Sequence, residues 1–259
     1  MNTKKSFFMC AVFVCIMALG VACSRSEKLQ GNEFIIEGRL SGVEDGTVIN
    51  LSRANGFVGM RVASDTVMNG RFTLRGEAES DLEQLRIYAL GKDIASSIMF
   101  VWVTPVAKVK IKGKGKIIPL WNVKGSVSYQ KEENRFTKNK RDIITETNPI
   151  NLNIDELFEK IQAATSSEEA DAYRQTRNSL MKESSQLTVK GFYADMSLLE
   201  KMDISPVWLQ KLQHITLFLQ AYDELRPKLW ALFGRMSEED KNTPIGAQII
   251  DALTPYNIV

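Results

Sequence analysis

Three cysteines, Cys10, Cys15 and Cys23, and one histidine, His214, are the whole stock of thiol and imidazole in 259 residues. A thiolate is the nucleophile and soft metal ligand of proteins, and a pair of thiols is the redox couple. No cysteine follows Cys23, so everything after it lacks an internal disulfide, a C-x-x-C pair, a cysteine nucleophile and a thiolate metal site. His214 is the one side chain whose ordinary pKa suits proton transfer near neutrality. No nucleophile-elbow glycines flank a serine to complete a triad with it. Counting about 100° per helical residue from Trp208, it lies about 240° around, off the apolar stripe, and a solvated helix position is expected. No catalytic residue, metal site or cofactor is expected.

Two further patterns carry charge. Lys108, Lys110 and Lys112 alternate with Val109 and Ile111, so a strand would send the three ammonium groups to one face and the apolar pair to the other. Such a row could meet lipid phosphates or an acidic partner, while a solvated face or a lysine-guarded sheet edge is the plainer expectation. Gly113-Lys114-Gly115-Lys116 lacks the spacing and the Ser/Thr of a phosphate loop and reads as a turn. The carboxylates of Glu168-Glu169-Asp171 and Glu238-Glu239-Asp240 fall in the first turns of expected helices, where they oppose the helix dipole. Trp208, Trp230, Tyr222 and Phe233 at helical spacing are expected to pack in a core rather than line a pocket.

Cys23 acquires its meaning from the residues before it. Lys4-Lys5, the apolar run Phe7 to Val21 and then Ala22-Cys23-Ser24 follow the order of a secretory signal, with a core too short to span a bilayer. A cysteine after a small residue at this place resembles the lipobox of bacterial lipoproteins, in which the thiol receives a diacylglyceryl group and becomes the mature amino terminus. The usual leucine three residues before the cysteine is replaced by Gly20, with Leu19 one position further back. Ordinary cleavage after Ala22 is the alternative that Gly20 and Ala22 also permit. The resemblance implies a lipidated Cys23, a membrane partner through that anchor and a place in the cell envelope. Ser24-Arg25-Ser26-Glu27-Lys28 lacks the acidic run of a surface-export signal, which favours the periplasmic face of the outer membrane.

After Ala22 there remain 237 residues. Without Lys4 and Lys5 the Lys+Arg count falls from 33 to 31, equal to the 31 Asp+Glu, so a nucleic-acid partner is not expected. Four segments are expected: a signal peptide at 1–22, an anchor linker at 23–32, a β-rich domain at 33–125 and an α-helical domain at 126–259. The β-rich part shows short alternating runs with Asp45-Gly46 and Asn69-Gly70 as hairpin turns, and strands at Phe34–Leu40, Thr47–Leu51, Thr66–Met68, Arg71–Leu74, Leu85–Leu90, Ile98–Val103, Val106–Lys112 and Lys116–Val123. In the helical part, Ser166-Ser167-Glu168-Glu169 fits a capping box, Ser205-Pro206 and Thr243-Pro244 fit capped starts, and Ser237 opens another helix. Asn148-Pro149 is the expected break inside it. The fold class is therefore α+β, an antiparallel β-sandwich or barrel-like module followed by a helical one.

Trp121-Asn122-Val123-Lys124-Gly125-Ser126, Gln130 to Arg135, Gly70-Arg71-Phe72, Ser205-Pro206-Val207-Trp208 and Thr243-Pro244-Ile245-Gly246, taken in order, resemble a known arrangement. It is the N-terminal domain of unknown function, with its helical linker, of thioredoxin-like thiol-disulfide oxidoreductase lipoproteins. The likeness runs from about Glu33 to about Leu253. In that family a thioredoxin domain with a Trp-Cys-x-x-Cys site comes next, and this sequence has no positions to receive those cysteines. The resemblance thus implies an architecture and a thioredoxin-like domain as a protein partner, but no redox activity of this chain itself. The expected function is a non-catalytic envelope lipoprotein that binds or positions a partner. The alternative is the anchor and docking half of a split or truncated oxidoreductase acting with a separate thioredoxin domain.

Overall fold

Alternation fixes the inward face of the first strand, β1 (Glu33–Ser41), where Phe34, Ile36 and Leu40 are buried and Glu33, Glu37 and Arg39 are exposed. The computed structural model describes residues 28–55 and 58–254. The chain divides into a unit Met1–Gln30, of which only 28–30 are described, and a unit Gly31–Val259, which holds every strand and helix described. The signal peptide and Cys23 lie outside the described residues.

Seven more strands complete the β part: β2 (Val48–Asn55), β3 (Val58–Thr66), β4 (Arg71–Glu77), β5 (Glu83–Leu90), β6 (Met99–Val103), β7 (Lys108–Lys114) and β8 (Asn122–Gly125). They form two four-stranded sheets, ordered β4-β1-β7-β8 and β3-β2-β5-β6, and neither closes into a barrel. Inward residues of both sheets, Phe34, Ile36 and Ile111 from the first and Ile49, Leu51 and Ile87 from the second, share one core. The fold class is α+β, as the sequence implies.

Four details depart from the expected strands and hairpins. The β1–β7 pair is parallel, with Ile35 beside Lys108 and Arg39 beside Lys112, so the first sheet is mixed. Asp45-Gly46 makes no hairpin, because β1 and β2 belong to different sheets; Gly46, at φ +91°, instead turns the chain from one sheet to the other. The Asn69-Gly70 turn does form, with φ of +52° and +66° and reciprocal Met68–Arg71 backbone bonds of 3.0 Å. Most of strand β3 forms where the residue pattern predicts no strand. In the run Lys116–Val123, Pro119 cannot donate to a ladder, and a 3-10 turn at Ile118–Leu120 precedes the short β8.

Gly38, at the centre of β1, is required by its neighbour. It pairs with Phe72 of β4, and an added Cβ would lie 1.8 Å from the Phe72 ring. We expect Gly38→Ala to lower stability by about 1–3 kcal/mol through overpacking, read as a shift in the urea midpoint.

The helices are α1 (Tyr129–Asn139), α2 (Arg141–Ala163), α3 (Ser167–Leu199), α4 (Pro206–Thr216), α5 (Arg226–Phe233), α6 (Glu238–Lys241) and α7 (Pro244–Leu253). Their starts obey the capping signals. Ser166, Ser205, Ser237 and Thr243 each accept a bond from a backbone N–H of the first turn, and at Ser237 the Asp240 carboxylate reciprocates. The break expected at Asn148-Pro149 is absent: Pro149 sits inside α2. Tertiary packing overrides its missing N–H, because α2 lies along α3 and the next turn is tied across by Ser184 Oγ donating to Asn151 Oδ1 at 2.8 Å. The first three interruptions fall instead at Lys140, at 164–166 and at 200–205. No helix of the described residues is long and apolar enough to cross a membrane.

Trp208 and Phe233 are buried in the core, with Trp208 Nε1 donating to the Leu199 carbonyl at 2.9 Å. Trp230 is 39% exposed and meets Phe233 edge-on at 5.6 Å.

Candidate functional site

The site is built where α1 and α4 cover the outward face of the second sheet. Helix α4 begins at Ser205, whose Oγ accepts from Trp208 N at 3.2 Å and donates to Glu132 Oε2 at 2.6 Å. Its stripe of Val207, Trp208, Leu212 and Ile215 is fully buried, and Lys211 falls inside the same arc. A lysine there must find an anion. Lys211 Nζ lies 2.5 Å from Glu133 Oε1, with both side chains buried. Glu133 Oε2 also accepts from Trp102 Nε1 and from Gln84 Nε2, each at 3.1 Å. The ammonium stands over the rings of Phe100 at 4.7 Å and Phe136 at 5.3 Å. Gln130, one turn before Glu133, accepts from Trp102 N at 2.9 Å and donates to Asn134, which donates to the Val123 carbonyl at 2.8 Å. One satisfied polar network thus joins α1, α4, β5 and β6.

His214, one turn beyond Lys211, is not the solvated residue expected. It is half-buried, with Phe100 edge-on at 5.7 Å and Phe218 edge-on at 5.4 Å. It does stand off the apolar stripe, but that side of α4 faces β6 rather than water. Burial, and then the positive charges of Lys211, Lys140 and Arg86, push its pKa down to about 3. The imidazole is therefore neutral at physiological pH. Burial also lowers the pKa of Arg86 from its usual range.

Beside His214 opens a cleft of about 920 Å³. Glu83, Gln84, Arg86 and Phe100 form its sheet side, and Gln210, Gln213 and His214 of α4 face them, with Gln248 and Asp251 of α7 at the rim. Its lining residues brace one another. Arg53 is fixed by Glu83 at 2.6 Å and by Glu79 at 3.3 Å, and Gln213 donates to Gln248 across α4 and α7. Chemically the cleft offers amides, the guanidinium groups of Arg53, Arg86 and Arg226, the carboxylates of Glu79, Glu83 and Asp251 and a neutral imidazole against an aromatic ring, which is recognition chemistry. A smaller hollow of about 190 Å³, lined by Pro119, Ile144 and Phe192 among others, lies next to Lys140, which is paired with the buried Asp195 at 2.5 Å. Among the described residues no group of three or more His, Cys, Asp or Glu side chains is placed to hold a metal ion.

The lysines singled out from spacing are not part of this cleft. Lys108, Lys110 and Lys112 are exposed on the outward face of the first sheet, with Val109 and Ile111 buried beneath. Strand β7 lies between β1 and β8, so these lysines guard no edge, contrary to the sheet-edge expectation. Conversely, residue types and spacing do not single out the Lys211–Glu133 pair, Gln130 or Arg86. One signal exists for the pair: Lys211 interrupts the Trp208–Leu212–Ile215 stripe, and Glu133 stands at helical spacing between Gln130 and Phe136 on the buried face of α1. No protein-family model matches the chain, and no curated protein matches it.

Proposed function

We propose that the protein is a lipid-anchored, non-catalytic binding or positioning module of the cell envelope, attached through Cys23 at the periplasmic face of the outer membrane and presenting its cleft to a protein partner. The partner that the resemblance implies is a thioredoxin-like domain. The observation that carries this reading is His214 held neutral in a braced, amide-rich cleft. With a pKa of about 3 it is too weak a base to take a proton near neutrality, yet it can still exchange one hydrogen bond with a docked surface. Gln210 and Gln220 add amide donors and acceptors for a docked surface.

Two measurements on the chain from Ser24 onward test the proposal. Alone, it is expected to leave insulin disulfides unreduced in the presence of dithiothreitol beyond the uncatalysed rate. Titrated calorimetrically with a purified periplasmic thioredoxin-fold domain, it is expected to bind, and Gln220→Trp, at an exposed position of the cleft wall, is expected to weaken that binding at least about tenfold by obstruction. Unaided reduction of insulin, or identical affinity of the variant, overturns the reading.

A further inference from the structure

The outward face of the first sheet concentrates positive charge in a manner its own stability does not favour. Register places Arg71 of β4 opposite Arg39 of β1, and Arg39 beside Lys112 of β7, so three cations stand in one row across three adjacent strands. In the next row Lys110 stands between Glu37 of β1 and Lys124 of β8. All five are exposed, and no ion pair of the described residues uses any of them. Like charges directly opposite on neighbouring strands destabilise a sheet. Adding Arg75 and Lys108, which flank the covered Ile35, and Lys114 at the end of β7 gives eight cations on this face. Against them stand three carboxylates, Glu33, Glu37 and Glu77. The face therefore carries a formal +5, whereas the entire chain carries only +2.

We propose that this face is an electrostatic docking surface for an anionic phospholipid bilayer. Strands β4, β1, β7 and β8, of seven, nine, seven and four residues, make a platform of roughly 14 Å by 20 Å, and none of its cations lines either cleft. A layer of lipid phosphates fits a lattice of ammonium and guanidinium groups spread over one sheet face. An acidic protein fits less well, because protein interfaces take their energy from a central aromatic or aliphatic anchor, and the one apolar residue in the middle of this face, Ile35, is 8% exposed. Strand β1, which supplies Arg39, is also the first strand after the segment that leads from Cys23. The docking rests on the face alone and does not require the acyl anchor, so the two claims fail separately.

The test uses the chain from Ser24 onward, without acyl groups, which keeps the whole core between Phe34 and Leu253. It is sedimented with vesicles of phosphatidylcholine and with vesicles of phosphatidylcholine and phosphatidylglycerol at about 2:1, in about 0.1 M and about 0.5 M salt. Binding to the anionic vesicles only, released at the higher salt, is expected. The triple variant Lys110→Gln, Lys112→Gln, Lys124→Gln is expected to lose roughly a hundredfold in partition, at the usual gain per cation near an anionic leaflet. Its urea midpoint is expected to stay level or rise, since like-charge neighbours have been removed. Equal binding to neutral vesicles, unchanged partition of the variant, or binding to polyglutamate with none to anionic vesicles each overturns the proposal, the last in favour of an acidic protein.

Discussion

Glu133→Ala is expected to cost about 3–5 kcal/mol of stability, the loss incurred when a buried ion pair is broken and its partner charge stays in the protein. Lys211 would retain an ammonium between the Phe100 and Phe136 rings with no carboxylate, and Trp102 Nε1 and Gln84 Nε2 would lose their acceptor. The cost comes from the stranded groups rather than from the attraction itself, and a second variant separates the two. Glu133→Gln combined with Lys211→Met keeps an acceptor for Trp102 and Gln84 and removes both charges, so its stability is expected to lie within about 2 kcal/mol of the parent. Urea unfolding followed by tryptophan fluorescence reads both. A loss under about 1 kcal/mol in Glu133→Ala would mean that water reaches the pair in place of the protein.

The second large effect is a dependence of stability on pH that originates in His214. Its pKa is about 3 folded and 6.5 when unperturbed, so between those values the unfolded chain binds a proton that the folded chain refuses. Stability from this residue is fully present above pH 6.5 and declines as the pH falls from there toward 3, by up to about 1.4 kcal/mol per pH unit. The charges that act on the ring, those of Lys211 on its own helix, Lys140 and Arg86, all oppose protonation, and the rings of Phe100 and Phe218 pack against it edge-on. His214→Gln removes the titration, so between pH 7.5 and pH 4.5 the parent is expected to lose more stability than the variant. Parallel pH profiles for the two proteins would show that His214 is as solvated as its helical angle implies.

Local rules were legible in the residues. Alternation in Lys108–Lys112 named which side chains turn inward, and the hydroxyls of Ser166, Ser205, Ser237 and Thr243 marked four helix starts, because strand pleat and helix caps depend on neighbours within a few residues. The features the residues did not disclose depend on distant partners. The parallel pairing of β1 with β7 joins segments about 70 positions apart, and Gly46 shapes the same kind of turn whether the next strand stays in the sheet or leaves it. Pro149 argues locally for a break and is overruled by the helix beside it. The cleft was hidden for the same reason: Arg86 lies on a strand, Gln213 and His214 on a helix more than a hundred residues later, and only the packing of α4 on β6 brings them to one opening. The lysine row was legible as a row, but its neighbours Arg39, Arg71 and Lys124 joined it only through strand register.

The place proposed for the protein in the cell envelope presupposes an acylated Cys23, and mass spectrometry of the amino terminus tests it directly. Protein recovered from the membrane fraction of the native cell is expected to begin at Cys23 with a diacylglyceryl group on sulfur, and Cys23→Ala is expected to abolish that modification and the membrane fractionation of the acylated form. A native protein found in the aqueous fraction, beginning at Cys23 or Ser24 and carrying no fatty acid, would contradict the lipid-anchored assignment.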